Sequence, residues 1–245
     1  MKKLFIISTL SVTIAANHAN AVEVTGGYLD LGYRTFTDSD LGDVFNLNGS
    51  GELAFNRAFS AQLDLGGYRF QDLGENATNW TLHANWHTSK NASFGAFYGQ
   101  ESIDSLDVEF YGLETGFDAG PAEVEGYIAR QQLSDFSDVD GNMFGVSVTA
   151  DLNDKWEFTA SYDLVNDVVG VLDFDLFALG ANYAASDNAE VYGILGVAHI
   201  SSPVVSGNTN EAYIGVGVRM NFGNERGTTF GRRGVFDKLP GLPGL

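Results

Sequence analysis

Between residues 24 and 222, apolar and polar side chains alternate almost one for one. That is the period of a β-strand with one apolar face and one wet face. In "NWTLHANWHT", Trp80, Leu82, Ala84 and Trp86 share one face, with Thr81, His83, Asn85 and His87 on the other. The same split runs through "FSAQLDLG", "KWEFTASYDLV", "MFGVSVTADL" and "YIGVGVRMNF", and no stretch carries a 3.6-residue period. The alternation predicts an all-β chain of about twelve antiparallel strands, roughly 10 to 14, each about ten residues long. At roughly 3.3 Å per residue and a tilt near 45°, such strands match an apolar band about 25 Å tall.

The segments between the strands fall into two sets. "TDSDLGD", "FQDLGENAT", "ESIDSLD", "LSDFSDVDGN", "NDVVGVLD" and "SSPVVSGNTN" are long and free of Lys and Arg, and all but the last are acidic; they alternate with short turns such as "NR", "SKN" and "LNDK". Short periplasmic turns and longer acidic extracellular loops are the asymmetry of a transmembrane β-barrel. The four prolines, Pro121, Pro203, Pro240 and Pro243, avoid the strands, as ladder hydrogen bonding requires.

A soluble β-sandwich or barrel also has one apolar face. In a closed soluble barrel that face turns inward, and about twelve strands leave a lumen too wide for these side chains to fill. The membrane reading turns it outward, with Tyr33, Trp80, Trp86, Trp156, Tyr162 and Phe222 as interfacial aromatic girdles.

Composition sets the compartment and excludes several functions. "MKK", a brief apolar run and Ala19-Asn20-Ala21 read as a signal peptide over residues 1–21, too short to span a bilayer. The chain has no cysteine, which removes disulfides, thiolate metal sites and Cys nucleophiles. Its formal charge is −19, or −21 once Lys2 and Lys3 are removed, which argues against a nucleic-acid partner.

Signal peptide, alternating strands, unequal connections and the terminal pattern Tyr213-x-x-Val216-x-Val218-x-Met220-x-Phe222 together resemble a Gram-negative outer-membrane β-barrel, similar to the small porins. The resemblance spans residues 22–222. It implies an outer-membrane location, contact with membrane lipid and lipopolysaccharide, and recognition of the last strand by the barrel-assembly machinery. It implies no cofactor, no metal and no catalytic residue.

Function in such a fold lies in the lumen and loops. Strand phase turns Asp30, Glu52, Asp64, Glu123, Glu125, Glu157 and Asp163 inward, with Arg34, Arg219, His83 and His87. An open lumen so lined concentrates cations and excludes anions, predicting a passive channel for small cations or hydrophilic solutes. The alternatives are a closed structural or adhesive barrel and a lipid A deacylase. For the latter, "AHISS" resembles that family's His-x-Ser, with His199 as base, Ser201 as nucleophile and Glu211 as orienting residue. The acidic "SDFSDVDGN" fails as an EF-hand, because Phe136 falls at the first ligand position.

The chain continues past Phe222 as "GNERGTTFGRRGVFDKLPGLPGL". Arg226, Arg232, Arg233 and Lys238 against Glu225 and Asp237 give residues 223–245 a charge of +2, opposite in sign to the rest. Two readings follow: a flexible periplasmic extension, in keeping with "LPGLPGL", or a plug that turns into the lumen and pairs with its acids.

Overall fold

A computed structural model describes residues 22–37, 42–71, 74–104, 106–134, 136–168, 172–201, 208–223 and 227–238. The side chains of residues 136–139, 168, 172 and 208 are not described. The proposed signal peptide and Arg226 lie outside the described residues.

Twelve strands close on themselves: β1 (Glu23–Phe36), β2 (Asp43–Ala54), β3 (Phe59–Phe70), β4 (Glu75–Ser89), β5 (Ala92–Ile103), β6 (Leu106–Asp118), β7 (Ala122–Leu133), β8 (Phe136–Asn153), β9 (Trp156–Val168), β10 (Leu172–Ser186), β11 (Ala189–Ser201) and β12 (Asn208–Phe222). Each pairs antiparallel with its chain neighbours, and β1 closes the barrel on β12, from Gly27 opposite Phe222 to Phe36 opposite Tyr213. No edge strand remains to template aggregation.

The strands run further toward the long connections than alternation predicts. β5 continues past Glu101 to Ile103, and β8 takes in Asp138 and Asp140. Once a partner strand continues the ladder, polar residues extend it as well as apolar ones do.

The apolar face points outward. Leu113 and Leu195 are 61% and 64% exposed, as side chains meant for lipid are. Trp86, Trp156 and Phe222 lie near the short-turn ends of their strands, with Phe55 and Phe59. Tyr33 and Trp80 lie nearer the long-connection side and Tyr162 at the middle of β9; Tyr33 packs on Phe45 and Trp80 on Tyr98.

The lumen departs from the expected wet interior. Inward positions nearest the long connections are apolar and buried, among them Phe36, Val44, Phe70, Ala77, Phe110, Val165, Phe174 and Ile200. They join two hydrophobic clusters to which all twelve strands contribute. Side chains of the wall alone do not complete these clusters, because Val235 and Phe236 of the C-terminal segment belong to them. The lumen is thus filled in part by inward wall residues together with the chain's own C-terminal segment.

After Phe222 the chain reverses. Gly223 has φ +90° and lies against the backbone of Gly26, where a Cβ has no room. Gly227 N–H then donates to Thr25 O at 3.2 Å, while Thr25 Oγ1 donates to Gly227 O at 2.9 Å. From this rim residues 228–238 run inside the barrel and end in a single helical turn, Val235–Lys238.

Candidate functional site

The site is the lumen, and its wall has two halves. Strands β2 to β7 hold residues 228–238. Gln62 grips Phe230 from both sides of the peptide, its Nε2 donating to Phe230 O at 2.7 Å and its Oε1 accepting from Phe230 N at 3.1 Å. Asn79 Nδ2 donates to Arg233 O at 2.9 Å. Glu101 accepts from Val235 N and Phe236 N at 2.7 and 2.9 Å, and Glu52 accepts from Thr229 N at 2.7 Å. Every one of these bonds goes to backbone, and a buried backbone amide left without a partner is strongly unfavourable.

Arg233 is the centre of the arrangement, 2% exposed. Its Nε and Nη2 reach Glu114 Oε2 at 3.0 and 2.8 Å, and Nη2 also pairs with Glu125. The guanidinium lies over the Tyr127 ring, 4.5 Å from its centroid. Burial pulls its pKa down, but Glu125 and Glu114 outweigh burial and hold it above its ordinary value, so the charge stays. Behind it, His83 Nδ1 lies 2.7 Å from Glu114 and Nε2 lies 3.0 Å from Asp64, which also accepts from Gln62 and Ser50. Buried charges need partners on every side, and here they form one connected chain.

Arg232 turns the other way and pairs with Asp237 at 3.0 Å. Arg34 Nη1 donates to Asp237 O at 2.8 Å, and Lys238 lies 3.4 Å from Asp163. Beyond them the second half of the wall, β7 to β12 with β1, leaves a cavity of about 430 Å³ lined by Asp30, Glu123, Glu125, Glu157, Asp163, Arg34 and Arg219. Arg219 stacks over Tyr28 at 4.5 Å and lies 3.7 Å from Asp30.

The predicted inward residues thus divide. Glu52, Asp64 and His83 are buried behind residues 228–238. Asp30, Glu123, Glu125, Glu157, Asp163, Arg34 and Arg219 border the cavity. His87 faces inward between Ser60 and Ser93, at 2.9 and 2.8 Å. Sequence reasoning gave no role to Glu114, Gln62, Asn79, Phe230 and Phe236, and it counted Glu101 among the loop acids. Strand phase could have found the first three and Glu101, which share faces with His83 or its cross-strand partner Phe97.

The deacylase constellation does not assemble. His199 shares the outward face with Leu195 and Val197, and Ser201 follows in the same phase. Glu211 stands opposite the buried, inward Ala198, so the sheet separates it from both. His199 Nδ1 instead lies 2.8 Å from Asn210 Oδ1. Among the described residues no group of three or more His, Cys, Asp or Glu is arranged to hold a metal.

A closed antiparallel barrel with an apolar exterior turned to lipid and an ionised lumen is the architecture of an outer-membrane β-barrel protein. The sequence pattern of the family described as "Gram-negative porin" matches residues 69–202, and the chain belongs to that family. The KdgM porin, solved alone and in complex with disordered oligogalacturonate, is similar in structure with a TM-score of 0.60. It is 13% identical, over 80% of this chain and 99% of that one. The CymD monoaromatic hydrocarbon channel is similar with a TM-score of 0.56 and 10% identity, over 82% of this chain and 90% of that one. No curated protein matches the sequence.

Proposed function

We propose that this porin is a tail-gated channel for passive diffusion of small cations or hydrophilic solutes across the outer membrane. In this reading residues 1–21 are removed on export, residues 22–222 form the pore, and the segment after Phe222 is the gate. Outer-membrane lipid and lipopolysaccharide contact the outward face, and the barrel-assembly machinery acts on β12. The observation that carries the gate is the match of sign between occupant and wall: Arg233 stands against Glu114 and Glu125, and Lys238 against Asp163.

Cation preference rests on the carboxylates. With residues 228–238 displaced, Glu52, Asp64, Glu101, Glu114 and Glu125 on one side and Glu123, Glu157 and Asp163 on the other line one aqueous space against Arg34 and Arg219. Fixed carboxylates in a water-filled passage raise the local cation concentration. They disfavour a polyanion such as the oligogalacturonate bound by the KdgM porin.

Planar-bilayer recording of the full chain beside one ending at Phe222 tests this. We expect rare openings from the full chain, frequent ones from the shortened chain, and a reversal potential toward that of the cation. Equal conductance from both sinks the gate, and anion preference sinks the selectivity. The apolar layer built by all twelve strands favours a second reading, a closed structural barrel. Silence from both folded proteins would favour it.

A further inference from the structure

The bonds that hold residues 228–238 are of two kinds. The larger set reads backbone and is indifferent to side-chain identity: Gln62 on Phe230, Asn79 on Arg233, Glu101 on Val235 and Phe236, and Glu52 on Thr229. A second set reads side chains: Asp237 accepts from the Tyr68 hydroxyl, Lys238 lies by Asp163, and two pockets take larger groups. One pocket takes the Arg233 guanidinium between Glu114, Glu125 and the Tyr127 ring. The other takes the Phe236 ring against Tyr68 and Phe70, at centroid distances of 6.0 and 5.7 Å. Backbone capture for affinity with side-chain pockets for register is how proteins bind extended peptides.

Two further features bear on how closely the cleft matches its resident. Among the described residues, the Asn48 side chain, 1% exposed and facing the lumen from β2, finds no partner for either Nδ2 or Oδ1, and Asn85 Oδ1 finds none. Thr229 Oγ1, Arg232 Nη1 and Asp237 Oδ2 of the segment are unmet as well, so wall and resident satisfy each other incompletely on both sides. Glu114 and Asp64 are also held buried in the wall on either side of His83, and Glu101 is buried beside Asn79. Buried acids in that number call for a cationic occupant.

We propose that the β2 to β7 wall is a binding cleft for extended cationic peptides, and that residues 228–238 are its intramolecular competitor. The ligand class is an unfolded stretch with an arginine followed, three residues on, by an aromatic residue, the spacing of Arg233 and Phe236. Such a peptide enters from the short-turn end, where residues 228–238 themselves enter. The inference rests on the segment being displaceable, as the gate reading requires, but not on the pore conducting.

The test uses the full chain carrying Arg233→Ala and Phe236→Ala, which empties both pockets and leaves the wall intact. The probe is a fluorescein-labelled peptide, Thr-Thr-Phe-Gly-Arg-Arg-Gly-Val-Phe-Asp-Lys, followed by anisotropy in detergent after a heat-modifiable gel shift has shown a folded barrel. Saturable binding at least ten-fold tighter than to the unmodified chain is expected, falling at least ten-fold when the peptide's second arginine is alanine. No saturable binding to the folded variant, or equal binding of a scrambled peptide, overturns the inference. Should the double variant not fold, Arg233→Gln alone takes its place with the same two outcomes. Binding is read without current, so a peptide that binds a non-conducting barrel breaks the channel reading and leaves this one standing.

Discussion

The two halves of the lumen wall carry the same kind of residue in opposite circumstances. On β2 to β6, Glu101, Glu114 and Asp64 are buried and each is hydrogen-bonded, two of them directly to the C-terminal segment. On β7 and β9, Glu123 and Glu157 border open cavity, and Glu157 accepts from Asn182 of the neighbouring strand, not from that segment. Carboxylates therefore do not by themselves define a pore here. Where a peptide lies on them they act as receptors, and where water lies on them they act as fixed charge.

Breaking the occupied half at its centre has the largest expected effect. Arg233→Ala leaves Glu114 buried beside His83 without its guanidinium, and losing one member of a buried pair costs about 3 to 5 kcal/mol. We expect the C-terminal segment to become open to protease and the folded barrel to lose heat resistance. Arg233→Lys keeps the charge but cannot span Glu114 and Glu125 as a fork, and should recover only part of the loss. Protection as complete as in the unmodified chain would show that Arg233 does not hold the segment.

Phe236→Ala removes the ring that completes the cluster of Val44, Tyr68, Phe70 and Ala77. A cavity of that size costs about 3 kcal/mol. Its signature is selective: the segment should loosen near Val235–Lys238 while Gln62 still holds Phe230, so cleavage should appear after Arg233 and not before it. Gly234→Ala comes next. Gly234 has φ +122°, and a Cβ there meets Asn79 and Glu101, so about 2 kcal/mol of strain is expected. The same cleavage assay would read it as a smaller change.

How much of this was legible follows from range in sequence. Alternation is local, so strand type, strand number and the outward face of Trp80, Leu82 and Trp86 could be read directly. The sign reversal after Phe222 is equally local, and it singles out Arg232 and Arg233 from the sequence alone. What Arg233 meets could not be read, because Glu114 and Glu125 lie more than a hundred residues earlier and reach it only through barrel closure. The apolar layer was hidden for a different reason. Phe36, Phe110 and Phe174 sit on the wet parity of their strands, and a pattern that sorts apolar from polar cannot tell an inward aromatic from an irregularity.

The smallest structural effect is expected on the open half, and it sharpens the comparison most. Glu157→Gln keeps the side chain's shape and its hydrogen bond from Asn182 Nδ2 while removing one charge from the cavity wall. Stability should change by no more than about 0.5 kcal/mol, as for a substitution away from packed or paired groups. The C-terminal segment should stay protected, since Glu157 touches none of the backbone that Gln62, Asn79 and Glu101 hold. Conductance should nonetheless lose part of its cation preference, because a carboxylate facing water sets the local ion concentration whatever it contributes to folding. A variant that loosened the segment without shifting the reversal potential would reverse the assignment, placing the structural charge on β9 and leaving the pore's selectivity to the acids behind residues 228–238.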